Sequence, residues 1–584
     1  MNMENRWVFK KVPESEVVER LSKELNINRR LAALLAQRGI TDYNQAKSFF
    51  RPKLSDLHDP FLMKDMDKAV KRIQTAIFKG EKIVVYGDYD VDGTTAVSIV
   101  YNFLKHVHKK VEFYIPDRYK EGYGISFKGI DTAIERGATL MITLDCGIKA
   151  VDKVNYANEK GLDIIIGDHH RPGDELPKAV AVLDSKRDDC DYPYQELSGA
   201  GVGFKLTQAI AQKMKVDENL VFESLDLVAI SIAADIVPIT GENRVLAYFG
   251  LQQLNKKPRP GILTLLQSAG LRKGKSKKFY FDKEITITDS VFLLGPRINA
   301  AGRLESATDS VKLMISKDRE YADKLGKQIN NLNLHRRDLD RDITREAIDM
   351  IVANDDMKER KTTVVYNPEW HKGVVGIVAS RLIENFYRPT IVLTYSDGLI
   401  SGSARSIKKF DIYDAIDSCS HLLEHFGGHT FAAGLAFKPE NLKAFVSCFE
   451  KYAQQHLTND MMMPEIELDA ELFISDINTR FYNILRQFAP FGPGNMLPLF
   501  QSSDLIDTGY ARLVGKNGSE HLKFSVVHRN RSGNPIPAIA FNQGHHIERI
   551  KKGDPFKICY HIVENSWQGA TNLQLRVKDI KFED

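Results

Sequence analysis

Residues 82–93 read KIVVYGDYDVDG, and this stretch decides the fold. Lys82–Tyr86 is a short apolar run stopped by Gly87, and the helix-like TTAVSIVYNFLKHV follows from Thr94 to Val107. A buried strand feeding a helix is half of a βαβ unit. The cadence returns in VEFYIP (111–116), LMITLDCG (140–147), LDIIIGDHH (162–170) and AVAVLD (179–184), separated by helix-length segments. The expected fold class is α/β with a parallel sheet. Open sheets of this kind bind ligands beyond the C-terminal ends of their strands.

Acids stand at those ends. Asp88, Asp90 and Asp92 follow the first strand, Asp145 ends another, and Asp168, His169 and His170 end a third. Alternating carboxylates repel one another unless a cation sits among them. An Asp/Gly-rich turn is the alternative for GDYDVDG taken alone; three acid-tipped strands together favour metal. Oxygen ligands with one or two imidazoles suit Mn²⁺ or Mg²⁺ better than a thiolate-loving ion. Asp235, in AADIVP after an apolar helix, is a further metal candidate or a plain helix-end acid. Cys146 reads as a packed thiol.

Outward from this core, the chain divides by changes of period. Residues 1–80 form a helical N-terminal lead-in, with Val17, Leu21, Leu25, Leu31, Leu34 and Leu35 at helical spacing. Residues 81–314 hold the parallel sheet. Residues 315–358 keep a 3-to-4 apolar spacing and predict one long connecting helix. Strand-like TTVVYN and PTIVLTY, with helical GVVGIVASRLIENF between them, place a smaller α/β lobe at 359–456. From 457 to 584, β-rich runs such as HLKFSVVHR and DPFKICYHIV predict an OB-like β-barrel.

Composition excludes little but bounds the class. The 584 residues include 81 Lys plus Arg and 77 Asp plus Glu, for a net charge of +4, too small to argue nucleic-acid binding from charge alone. The five cysteines form no C-x-x-C pair, which argues against a zinc cluster or disulfide framework and for a reducing cytoplasm. No apolar leader or spanning segment is evident, so no membrane is expected.

GDYDVDG, TLDCG, GDHH and AADIVP, in this order, resemble the four motifs of the DHH phosphoesterases. LLAQRGI, FLMKDMDKAVKRI, IPDRYKEGYG, LGPRINAAGR, SGSARS, FGGHTFAAG and PFGPGN extend the resemblance, over nearly the whole chain, to the RecJ exonucleases. The resemblance implies two α/β lobes, a DHH domain and a DHH-associated domain, followed by the barrel. It implies that Asp145 bridges two ions, one also held by Asp92, His169 and Asp235, the other by Asp90 and Asp88. Where the pyrophosphatase branch has a His, this chain has Tyr86.

The implied activity is 5′→3′ hydrolysis of single-stranded DNA, with His170 beside the scissile phosphate. Ser403, Arg405 and Arg118 would hold the 5′ phosphate, a guanidinium fork with a hydroxyl being suited to that task. His429, after Gly427 and Gly428 in an expected tight loop, would face the active site; Arg303 and Arg297 would contact backbone phosphate or pair with acids between lobes. The basic run from Lys256 to Lys278 is a solvated face or a nucleic-acid contact. Phe524, Phe541 or Trp567 would stack on bases in the barrel. Implied partners are single-stranded DNA, a single-strand-binding protein and a repair helicase. The rival readings are a DHH phosphoesterase for short oligonucleotides or cyclic dinucleotides, and an inactive single-strand-binding scaffold.

Overall fold

The computed structural model describes residues 5–274, 279–515, 520–530, 533–567 and 570–582. The first lobe carries five parallel strands in the spatial order Val111–Tyr114, Lys82–Gly87, Ala138–Leu144, Asp163–Gly167 and Ala181–Leu183. Along the chain that is 2-1-3-4-5, so the order reverses between Lys82–Gly87 and Ala138–Leu144, which pair Gly87 with Leu144. Such a switch point opens a crevice, because the connections from the two strands leave toward opposite faces. Ile83, Val85, Leu140 and Ile142 enter one apolar core, while Val84, Met141, Ile164 and Ile166 enter another. Both faces are covered, which is why these strands read as unbroken apolar runs.

The connecting helix spans Arg319–Ala353, 35 residues, about 50 Å at the usual rise. The expected single helix over 315–358 is corrected at both ends. Asp318 caps its start by accepting from the Glu320 and Tyr321 amides, and Asn354 ends it and caps a separate short helix, Asp355–Glu359. The second lobe is a five-stranded sheet in the order His425–His429, Ala432–Phe437, Leu399–Arg405, Thr390–Ser396 and Thr363–Tyr366, parallel only at its last pair. The expected glycine loop in FGGHTFAAG is also corrected. Gly427 and Gly428 lie in a strand paired with Gly434 and Ala433, and Thr430–Phe431 form the hairpin tip. A Cβ on Gly428 would sit 2.4 Å from the Ala432 carbonyl oxygen, so tight strand approach demands that glycine.

The C-terminal sheet has seven strands, and an extra pairing of Phe500–Asp507 with His521–His528 closes it into a barrel. The N-terminal helices do not stand apart as a unit. Val18, Leu21, Leu31, Leu34 and Leu35 share the barrel's core with Phe481, Phe500, Leu522 and Tyr560. Helix Met66–Lys79 instead packs into the first lobe's core. Short amphipathic helices need an apolar face to cover, and the far end of the chain supplies it. Strand Arg6–Phe9 adds a parallel pairing with Glu465–Leu468. Among the described residues no helix is long and apolar enough to cross a membrane.

Arg244, on helix Gly241–Lys256, pins three of these parts. Its guanidinium donates to the carbonyls of Phe49 (3.0 Å), Phe488 (2.9 Å) and Ala489 (3.0 Å), and lies 3.7 Å over the Phe49 ring. Removing it takes the guanidinium donor from the Phe49 and Ala489 carbonyls, while the Phe488 carbonyl keeps the Asn495 side-chain amide at 2.8 Å. Arg244→Ala is expected to lower stability by about 3 kcal/mol, read as a lower urea midpoint; an unchanged midpoint would contradict the pinning role.

Candidate active site

The strand tips at the switch point converge as the sequence suggested. Asp90 caps helix Val91–Val107, accepting from the Gly93 amide at 3.0 Å. Gly93 must be glycine, since a Cβ there would lie 2.4 Å from the Asp88 carbonyl oxygen. Asp92 reaches the start of helix Gly199–Met214, accepting from the Gly199 (2.7 Å) and Ala200 (2.8 Å) amides and from the Ser231 hydroxyl (2.7 Å). Asp145 is held at φ +59°, a left-handed conformation that a non-glycine residue adopts only when its surroundings impose it. The same crowding keeps position 199 glycine, where a Cβ would lie 2.6 Å from the Asp145 Cβ.

Three groups of potential ligands result, each with its atoms within 4.8 Å of one another: Asp92, His169 and Asp235; Asp88, Asp90 and Asp145; and Asp145, His169 and His170. His169 Nε2 lies 3.1 Å from Asp145, 3.5 Å from Asp92 and 3.6 Å from Asp235. Both Asp88 oxygens and both His169 ring nitrogens are buried without a hydrogen-bond partner, a costly arrangement unless a ligand completes it. Burial, then the charge of neighbouring acids, pushes Asp88, Asp90 and Asp145 above the ordinary carboxylate range, and lifts Asp235 to about 8. Burial lowers the His169 pKa, so its imidazole stays neutral and able to ligate. This donor set of carboxylates and neutral imidazole fits Mn²⁺ or Mg²⁺.

His170 is held differently. Its Nδ1 pairs with Asp168 at 2.7 Å, and its Nε2 meets the Tyr123 hydroxyl at 3.2 Å. Asp168 also accepts from the Ile148 (2.9 Å) and His169 (2.8 Å) amides. Burial opposes charge on both partners, but their hydrogen bond prevails, leaving Asp168 at about 2 and His170 at about 9. The pair is therefore ionic at neutral pH. Tyr86 takes no part: it is fully buried, donates to the Gly124 carbonyl at 2.8 Å and stacks on Tyr114.

The expected phosphate residues meet where the lobes join. Arg405 Nη1 donates to the Ser403 hydroxyl at 2.8 Å, and Gly376 leaves room for both, since a Cβ there would lie 3.0 Å from each. Arg303, on helix Gly295–Leu304, donates across the junction to the Gly373 carbonyl at 2.8 Å. Arg118 lies 5.0 Å over Tyr89, within the acid motif. Burial and then the charges of Arg118 and Arg336, with a smaller push from Arg405, lower Arg303 to about 10. Among the described residues Arg118, Arg303 and Arg405 form no ion pair. Clustered cations without a carboxylate make an anion pocket. Arg297 turns elsewhere, to Asn330 and the Leu293 carbonyl.

His429 lines the interlobe cleft together with His169, His170 and Tyr123. Sequence reasoning missed Ser231 and Tyr123, each of which holds a site residue through one hydrogen bond; Tyr123 lies in IPDRYKEGYG, a segment the family resemblance had already marked. In the basic run, Arg259 is engaged in a salt bridge to buried Asp226, and Lys275–Lys278 lie outside the described residues. Phe524 is a barrel core residue rather than a stacking platform, whereas Phe541 is 48% exposed. The Trp567 side chain lies outside the described residues.

Comparison with known proteins agrees with this architecture. Residues 82–232 match the DHH family, N-terminal domain, 359–455 the DHHA1 domain and 468–579 the RecJ OB domain. The single-stranded-DNA-specific exonuclease RecJ of Bacillus subtilis is 38% identical over 98% of this chain and 70% of its own. That of Escherichia coli is 31% identical over 88% and 90%. The crystal structure of RecJ in complex with Mn²⁺ from Thermus thermophilus superposes with a TM-score of 0.83 at 26% identity, covering 100% of this chain and 80% of that one. Its Mg²⁺ complex gives 0.77 at 25%, covering 99% and 79%. With the acid cluster, both lobes and the barrel in place, the chain belongs to the RecJ family of DHH-domain exonucleases.

Proposed function

We propose that this chain is a metal-dependent 5′→3′ exonuclease that hydrolyses single-stranded DNA to 5′-mononucleotides in DNA recombination and repair. One observation carries the reading: a buried cluster of acids at a sheet switch point stands beside an uncompensated arginine pocket built from both lobes. Asp92, His169 and Asp235 would hold one ion, Asp88 and Asp90 the other, and Asp145, which belongs to groups on both sides, would bridge them. Two bound Mn²⁺ or Mg²⁺ ions supply an activated water and neutralise the leaving oxygen. His170, charged and oriented by Asp168, offers a proton donor toward the scissile phosphate. His429 faces the same space from the second lobe.

Polarity needs a group that reads the strand end. A terminal phosphate has more charge and more free oxygens than an internal one, and Arg118, Ser403, Arg405 and Arg303 offer donors for it. Because these donors come from both lobes, a strand end is trapped between them, which disfavours stiff duplex. The barrel and the match to the RecJ family weigh against a small-substrate phosphoesterase, and the complete acid set weighs against an inactive scaffold. A cytoplasmic setting, a single-strand-binding protein and a repair helicase complete the proposal.

Two outcomes test it. Raised carboxyl pKa values mean that the fold favours the protonated acids: the stability they give is present below about pH 4 and lost as pH rises, for Asp235 through about 8. Cations compete with those protons. Mg²⁺ is therefore expected to raise the melting temperature more at pH 8 than at pH 5.5; an equal or smaller rise at pH 8 would contradict the metal assignment. Arg405→Ala is expected to weaken transition-state binding of 5′-phosphorylated strands by about 1.5 to 3 kcal/mol. It should also lose most of the preference for 5′-phosphate over 5′-hydroxyl ends while keeping its metal affinity. Discrimination like the parent's would place the clamp elsewhere.

A further inference from the structure

The arginine pocket accounts for the strand's end, and the acids account for the bond to be cut. Neither accounts for where the remainder of the strand lies. From the His169–His170 pair a cleft of about 1000 Å³ opens between the lobes, and none of the four clamp residues lines it. That volume is at the upper end of the range for pockets that bury a drug-sized ligand, about 300 to 1,000 Å³.

Its walls differ in chemistry. The first lobe contributes Lys149 and Arg171, and the second contributes Tyr413 and Phe431. Lys149 and Arg171 form no ion pair among the described residues, whereas their neighbours Lys153 and Lys186 are paired with Asp152 (2.8 Å) and Glu196 (3.7 Å). Phe431 is 59% exposed and Tyr413 37%. Single exposed aromatics are ordinary, but these two are anchored. The Phe431 carbonyl accepts from the Ser406 amide (3.0 Å) and the Thr430 carbonyl from the Ile412 amide (3.1 Å). Asp411 accepts both the Thr430 hydroxyl (2.7 Å) and the Tyr413 amide (2.8 Å), tying the hairpin tip to the segment that bears Tyr413. The Tyr413 ring rests against Phe426 at 5.5 Å.

We propose that this cleft is a binding subsite for the nucleotides on the 3′ side of the scissile phosphate. Phe431 and Tyr413 stack on their bases, and Lys149 and Arg171 hold their phosphates. The inference rests on the single-strand exonuclease reading and extends it to Phe431, Tyr413, Lys149 and Arg171, which have no role in that reading. Aromatic faces opposite unpaired cations are how proteins grip a single strand without reading its sequence, because every base has a π-face and every nucleotide a charge. The anchoring fixes the aromatic wall before the strand arrives, so little ordering is left to the moment of binding.

The test compares kcat and KM on 5′-phosphorylated ten-residue DNA strands, either fully based or carrying abasic spacers at the second to fourth positions. The parent is expected to show a KM for the abasic strand higher by about five-fold or more, the low end of what stacking is worth. Phe431→Ala should lose that preference and Phe431→Trp should keep it. The double variant Lys149→Gln/Arg171→Gln should raise KM on both strands alike and flatten the salt dependence. The subsite is overturned if Phe431→Ala keeps the parent's ratio, if it loses kcat equally on both strands, or if only inhibition by a free 5′-mononucleotide changes. A parent that cuts single strands without any preference for the based strand also overturns it and leaves the exonuclease reading standing. A parent that cuts no single strand removes both.

Discussion

Everything in the first lobe follows from forcing carboxylates together against their own repulsion. Asp88, Asp90, Asp92, Asp145 and Asp235 crowd one pocket, with Asp88, Asp92 and Asp145 buried and Asp90 and Asp235 half-buried, where screening by water is reduced. Conventional stabilising contacts hold them there. Two amides and a hydroxyl fix Asp92, and a left-handed backbone turns Asp145 inward. A glycine at 199 lets a helix start approach within contact of Asp145. Such a site is poised rather than satisfied, and a hard cation is what its geometry and its unpartnered atoms call for.

The opposite sign is arranged with equal care at the lobe junction. Arg303, on helix Gly295–Leu304 of the first lobe, links it to Gly373 of the second and sits near Arg118, Arg336 and Arg405; among the described residues Arg336 is paired with Asp340, while Arg118, Arg303 and Arg405 form no ion pair. Acids that need a cation and arginines that need an anion thus lie on either side of Tyr89, whose ring carries Arg118 at 5.0 Å. A phosphodiester end beside a pair of metal ions would satisfy both at once. The barrel and the N-terminal helices, joined in one core and pinned to the first lobe by Arg244, extend this machine beyond the cleft.

How much of this the sequence disclosed depended on whether a residue's task leaves a pattern. Strand-end acids do, because an unbroken apolar run ending in Asp is visible, and so the residues of the three ligand groups were all named in advance. The long helix was visible by its spacing, but its ends were set by the caps Asp318 and Asn354 rather than by periodicity. Backbone amides that hold Asp92 leave no trace in composition. Neither does a shared core: nothing in Leu21 or Leu34 says that its partner is Phe500. FGGH looked like a loop because glycines usually mark turns, yet both lie in a strand, where close strand approach demands Gly428 while a Cβ on Gly427 would meet nothing within 4 Å. Phe524 and Phe541, alike on paper, part into core and surface because Phe524 lies within strand His521–His528 and is buried, whereas Phe541 stands just past the end of strand Ile536–Ala540.

The central claim is that cations held on Asp145 cut a single strand from its 5′ end. The most direct measurement is a digestion time course on single-stranded DNA labelled at the 5′ nucleotide, with Mn²⁺ present or chelated, for the parent and for Asp145→Ala. The account predicts a labelled mononucleotide as the first product, formed only with metal and only by the parent. Label that stays on long fragments, release under chelation, or near-normal release by Asp145→Ala would contradict it.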